Sequence, residues 1–215
     1  MLRKYWLRSC LRDGINFFRF GPLAPRFAEC IWVDPTCCDS FIPAAEFKRR
    51  FSLSVRKMSG AVADTWPDDL ERSLDENPVF VYCLAHWQGG RSWTEAGAID
   101  FMLQNIASAS SGSSDGCRNL EDVIKRFDAL DSAWSDVLSS GKLMSRKELL
   151  PSNFREYGGI VIHLGPDGRP VFSGAGNHRF AMAKILNRPF PAQIGCVHIS
   201  ALPHLDQFRE RPDLT

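Results

Sequence analysis

Apolar residues recur at steps of three and four in two stretches of the chain. Leu120, Val123, Ile124, Phe127, Leu130, Trp134, Val137 and Leu138 fall on one face, which predicts a helix over 120–138. Asn119 stands where an N-cap belongs, and Glu121 and Asp122 follow where the helix dipole favours acids. Ser139-Ser140-Gly141 ends that helix. Near the N-terminus, Trp6, Leu7, Leu11, Ile15 and Phe18 recur at near-helical spacing, and Gly21-Pro22 and Pro25 stop the pattern. Amphipathic stripes mostly face a core, so this segment is expected to pack on its own domain with its cations in water.

Weaker patterns fill the rest. Glu29 to Val33 predicts a short strand closed by Asp34-Pro35, and Ala44 to Phe51 a helix with a basic end. Met58 to Glu76 is polar and broken by Pro67, so it reads as loop with short ordered pieces. Pro78 to Trp87 fits strand or helix, and periodicity does not decide. Thr94 to Ile106 is expected to be helical, Ser108 to Gly116 flexible and exposed, and Ser145 to Leu149 one more short helix.

The pattern changes at Gly158. Ile160 to Leu164 is β-rich, Gly165-Pro166-Asp167-Gly168 is a turn, and Pro170 to Phe172 is a second strand. A glycine loop then leads into a helix from about His178 to Leu186, which Asn187 and Pro189 stop. Ala192 to Ile199 is the last strand. The predicted fold is α/β (α+β), a small mixed sheet with a mostly helical insertion. Its parts are a basic amphipathic segment (1–28), the first part of the sheet domain (29–57), a mainly helical insertion (58–156), and a strand–loop–helix–strand core with its tail (157–215).

A net charge of +1 gives the whole molecule no strong pull toward nucleic acid or anionic membrane, so anion affinity must be local. The exception is the first twenty residues, where Arg3, Lys4, Arg8, Arg12 and Arg19 oppose only Asp13. A basic amphipathic helix of that kind can also lie on a membrane surface as a peripheral contact. No apolar run approaches the roughly 20 residues of a membrane span. The seven cysteines lack C-x-x-C spacing, which points to reduced thiols and a cytoplasmic protein.

The chemistry gathers in Ser173-Gly174-Ala175-Gly176-Asn177-His178-Arg179. The helix that follows is apolar nearly all round except for Lys184, so it is expected to be buried, with its polar residues at its N-terminus. Such a terminus presents unpaired N–H groups and a partial positive charge. Gly174 and Gly176 permit backbone angles that expose amides and clear side chains from an approaching anion. Ser173 and Asn177 are further candidate ligand contacts. Arg179 can hold phosphate or carboxylate oxygens in a bidentate way, and His178 can donate a hydrogen bond or move a proton near neutral pH.

These residues, from Asp167 through Leu186 with Pro191 and a strand beyond, resemble the ParB/sulfiredoxin superfamily. There a strand and a Gly-rich loop lead into a helix opening with His-Arg or Arg-Arg. The resemblance covers about Tyr157 to Ser200. It implies that Gly174, Gly176, His178 and Arg179 hold nucleotide phosphates, with a nucleoside triphosphate (ATP or CTP) and Mg²⁺ as cofactors. It implies a possible phosphotransferase, His178 being the catalytic candidate and an unidentified small molecule the acceptor. The alternatives are a non-catalytic nucleotide-dependent interaction module and, behind it, a ParB-like nuclease or DNA binder. Two departures bear on this. Asn177 stands where sulfiredoxins carry their reactive cysteine, and no DNA-binding helix-turn-helix follows, which disfavours specific nucleic-acid binding.

A metal would need carboxylates, and Asp34, Asp167 and Glu95 are candidates, the first two with turn roles that already account for them. Arg91, in Gly89-Gly90-Arg91-Ser92-Trp93, is a candidate ligand contact from a second loop. His163 and His198 are expected to be structural, and the six tryptophans to be scattered packing residues.

Overall fold

Phe190 to His198 is apolar along almost its whole length, the signature of a strand buried on both faces. In the computed structural model, which describes residues 2–212, this segment is the longest strand and an interior strand of a mixed sheet. In chain order the elements are α1 (Leu2–Phe20), β1 (Cys30–Val33), β2 (Ser40–Phe41), α2 (Ala44–Phe51), β3 (Val62–Ala63) and β4 (Arg72–Ser73). Then come α3 (Pro78–Trp87), α4 (Ala98–Ser108), α5 (Leu120–Ser140) and α6 (Arg146–Leu149). The last five are β5 (Val161–Leu164), β6 (Pro170–Phe172), α7 (Asn177–Leu186), β7 (Phe190–His198) and a 3-10 run, Ile199–Phe208.

The sheet runs β1-β7-β5-β6-β2-β4, with β3 also pairing with β7. The β5–β6 pair is antiparallel, joined by the predicted turn, where Asp167 (φ 58°) and Gly168 (φ 80°) both take left-handed angles. The β5–β7 pair is parallel and carries a register shift between Ile162 and Leu164. The strand alternation divides two cores. Ile162, Phe172 and Ile194 belong to a large core shared with α3, α4, α5 and α7, while Val171 and Cys196 join Phe47 of α2 in a smaller one on the other face. The mixed α/β class and the helical insertion are therefore as expected. Residues 58–76, grouped with that insertion in the sequence, contribute β3 and β4 to the sheet, so the helical layer proper begins at α3.

The undecided segment Pro78–Trp87 is a helix. Pro78 occupies the first helical turn and Asn77 Oδ1 accepts from the Val79 and Phe80 amides at 3.1 and 3.3 Å. Its β-branched and aromatic residues are helical because the large core takes Phe80, Tyr82 and Cys83 on one side. The tryptophans are not all scattered. Trp87 and Trp93 each donate to Asp131 of α5 at 2.9 Å, His86 reaches the same carboxylate at 3.0 Å, and Trp134 stacks on Trp87. This cluster staples the α3–α4 connection to α5.

The N-terminal helix forms as predicted but is turned the other way. Trp6, Leu7, Leu11, Ile15 and Phe18 all face away from the body, and Phe18 is 88% exposed. The buried side is polar. Asn16 donates to the Pro25 and Gly60 carbonyls at 2.6 and 2.7 Å, and Asp13 accepts from the Phe27 amide at 2.7 Å and pairs with Arg155 at 2.8 Å. Among the described residues no helix is long and apolar enough to cross a membrane. All seven cysteines are free thiols, and burial raises Cys38 to about 12 and Cys196 to about 11.

Candidate functional site

The glycine loop is placed by α7, and α7 by its aromatic core. Phe180 is fully buried and stacks on Phe172 of β6 at 4.0 Å, with Phe80 and Phe190 each 6.0 Å away. The chain must therefore leave β6 and reverse within Ser173–Gly176. Gly174 (φ 68°) and Gly176 (φ 92°) accomplish this with left-handed angles. A Cβ on Gly176 would meet Ile160 Cα at 2.9 Å, and one on Gly174 the Ala44 amide nitrogen at 3.1 Å. The glycines thus serve close packing of the loop on its own sheet more than clearance for a ligand.

Gly176 is the N-cap of α7, and no side chain caps the helix. The Asn177, His178 and Arg179 amides donate to no described residue. Asn177 instead closes the loop. Its Nδ2 donates to the Gly174 carbonyl at 3.0 Å, and its Oδ1 accepts from Asn77 at 3.0 Å, tying the loop to the start of α3.

This helix end faces a cavity of about 610 Å³ between the sheet loop and the helical layer. Gly174, Gly176, Asn177, His178 and Arg179 line one side. Arg56 and Arg126 bring two further guanidinium groups, and Val79, Phe101, Met102 and Leu130 form an apolar wall. Arg179 donates through Nη2 to the Met144 carbonyl, while its Nη1 is buried with no partner among the described residues. Arg126 pairs with Asp115 at 2.9 Å, and its Nε is likewise buried without a partner. Arg56 donates to the Gly159 carbonyl at 2.9 Å. Among the described residues none plugs the helix end, and no carboxylate forms an ion pair with Arg179.

His178 corrects the proton-transfer expectation. Its Nε2 lies 2.9 Å from the Tyr82 hydroxyl, and burial, followed by the Arg126 charge, lowers its pKa to about 4. It is therefore neutral at pH 7, a hydrogen-bonding group and a poor proton shuttle there. Burial also raises the Tyr82 phenol above its ordinary range. Ser173, a predicted ligand contact, is wholly buried, does not line the cavity, and has an unpartnered hydroxyl. Arg91 is exposed and away from the cavity, its carbonyl held by the His86 ring.

The candidate metal carboxylates are elsewhere too. Asp34 caps a 3-10 turn through the Thr36 amide at 2.8 Å, Glu95 accepts from the Ser92 amide at 2.9 Å, and Asp167 sits in its turn. Asp34 and Asp167 line a separate hollow of about 650 Å³. Asp115 is the only carboxylate among the residues lining the loop cavity, and Arg126 already neutralises it. The lining thus suits phosphate oxygens but is a poor fit for a protein-held Mg²⁺, which ordinarily takes one or two free carboxylates. His163 is structural as expected, since its Nδ1 accepts from the Cys196 amide at 2.8 Å and its ring stacks on Phe47 at 4.9 Å.

Sequence reasoning missed Arg56, Tyr82, Asp115 and Arg126, which reach the loop from segments far away along the chain. The one local clue was the placement of Arg126 on the predicted helix over 120–138, beside Phe127. Comparison of the chain with family models, with curated proteins and with solved structures gave no match.

Proposed function

We propose that this protein binds a phosphate-bearing nucleotide, its phosphates on the α7 N-terminus and its base against the apolar wall. The observation that carries the reading is the convergence of bare helix-start amides with three arginines, two of which have a buried nitrogen with no partner among the described residues. Amides at a helix start and guanidinium groups are the usual protein donors for phosphate oxygens. Two orphaned guanidinium N–H groups beside the same cavity are most simply satisfied by an anionic ligand. Neutral His178 adds a donor or acceptor without adding charge. Phe101 and Met102 offer a surface on which a base can pack.

Phosphoryl transfer to a small acceptor needs a group that orients or deprotonates the acceptor. In this cavity Asp115 is paired and His178 is uncharged with a low pKa, so binding is the reading that the geometry supports better than turnover. The binding-module alternative gains from the Asn77–Asn177 link and from the α3 and α5 walls. A ligand there would bridge the sheet loop and the helical layer and hold them together.

The test is a thermal-shift series with ATP, CTP, their diphosphates and pyrophosphate, each with and without Mg²⁺. At a hundredfold excess over its dissociation constant, a true ligand stabilises the native state by about 2.7 kcal/mol. An Arg126→Ala/Arg179→Ala variant should lose that response. A shift with nucleotide but not pyrophosphate would place the affinity in the apolar wall, and no shift with any of them would refute the reading.

A further inference from the structure

We infer that α1 is a docking element that seats the protein on an anionic lipid surface. The helix presents Trp6, Leu7, Leu11, Ile15, Phe17 and Phe18 to solvent, each at least 54% exposed. Single exposed apolar residues are common, but six on one helix are a continuous patch that marks an interaction site. Its outward orientation is built in. Asn16, 3% exposed, spends its amide on the Pro25 and Gly60 carbonyls, and Ser9, 5% exposed, donates to Asp13 at 3.0 Å. Asp13 is itself held by the Phe27 amide and by Arg155. Turning the apolar stripe inward would break all of these contacts and bury polar groups without partners.

Charge selects the occupant. Helical geometry puts Arg8 and Arg19 along one shoulder of the stripe and Trp6 and Phe17 along the other, while Arg12 turns further toward the body, where burial lowers its pKa. Leu7, Leu11 and Ile15 share a shallow hollow of about 430 Å³ with Arg8 and Arg12. The acid within the described part of α1, Asp13, is turned inward and neutralised. The outer face of the helix thus combines apolar side chains with the Arg8 and Arg19 cations, which form no ion pair among the described residues, the composition of helices that lie in the interface of anionic bilayers. A second copy of the chain fits less well, because an antiparallel twofold contact through this face would set arginines against arginines, and a parallel one would leave them without acids to pair with. A bilayer containing acidic headgroups takes up both the apolar stripe and the cations.

The test uses the full chain and vesicle flotation. Vesicles of phosphatidylcholine with phosphatidylserine should carry the protein, and vesicles of phosphatidylcholine alone should bind it about tenfold more weakly. Leu11→Asp/Phe18→Asp should abolish flotation, and Arg8→Glu/Arg19→Glu should weaken it while making it less sensitive to salt. Both pairs should leave the melting temperature in place, because these side chains point away from the core. Wild-type protein that fails to float with acidic vesicles would overturn the inference. So would flotation unchanged by Leu11→Asp/Phe18→Asp. A concentration-dependent dimer that this variant dissolves, without vesicle binding by the wild type, would assign the face to a second copy instead.

Discussion

The helices α1 and α5 carry the same kind of apolar stripe and use it in opposite ways. In α5 the centre of the stripe faces the body, with Val123, Phe127 and Trp134 buried in the large core, while Leu120, Ile124 and Leu138 at its edges stay exposed. In α1 the stripe faces solvent, and the buried side holds Ser9, Asp13 and Asn16. Spacing alone is blind to this difference, because periodicity reports that a helix has two sides but not which side has partners. The partners decide. The outer side of α5 sets Glu121 and Lys125 in water beside the exposed edge of its stripe, whereas the polar side of α1 finds carbonyls, an amide and a guanidinium fixed by the rest of the fold. A satisfied buried polar face costs little, and leaves the apolar stripe free for another surface.

That contrast can be broken most sharply with one phenylalanine from each helix. Phe127→Ala should cost about 3–5 kcal/mol by denaturant unfolding, since it empties a fully packed site. Phe18→Ala, at an exposed position, should stay within about 0.5 kcal/mol. Equal losses would mean that α1 is packed the other way round. Asp131→Ala should come next, at about 2 kcal/mol, because two indoles and His86 lose a shared acceptor that water only partly replaces. Asn16→Ala should cost about 1–3 kcal/mol by abandoning two carbonyls beneath α1, and a negligible loss would show that those bonds do not set the helix's rotation.

A pH dependence is expected as well. His178 and His163 have pKa values lowered to about 4 and about 3, below the ordinary imidazole value near 6.5. The unfolded chain therefore binds more protons in that interval, and stability falls as pH drops from about 6.5 toward 4. His178→Gln should flatten part of this slope. Glu71 contributes lower down, because the Arg169 hydrogen bond holds its carboxyl below the usual range, and its contribution is lost only as acid protonates it. A melting temperature that is level from pH 7 to 4 would contradict the burial of both rings.

Much of the fold was legible because its signals are local. The period of three and four gives α5, and the Pro166–Gly168 turn gives the β5–β6 hairpin. The apolar helix after the glycines gives α7, within a residue at its start. What stayed hidden depends on distant partners. Two-residue strands such as β2 and β4 exist only by pairing with each other and with β6. The Val79–Tyr82 run leaves strand and helix open until Asn77 and Pro78 are seen to start a helix. The site divides in the same way. Gly174, Gly176, Asn177, His178 and Arg179 were visible as one local unit, whereas Arg56, Tyr82 and Arg126 arrive by tertiary folding. Ser173 and Arg91 stand out in the sequence by residue type and loop position, and neither property reports which way a side chain points.

The start of α7, with Arg179, Arg56 and Arg126 around it, is proposed as a seat for phosphates. Isothermal titration of pyrophosphate and of ATP into the wild-type chain and Arg179→Ala tests it most directly. Saturable one-to-one binding by the wild type, weakened at least about tenfold by a substitution that removes a charge-assisted contact, is the predicted result. Absence of measurable heat for either ligand, or an affinity indifferent to Arg179, would contradict it.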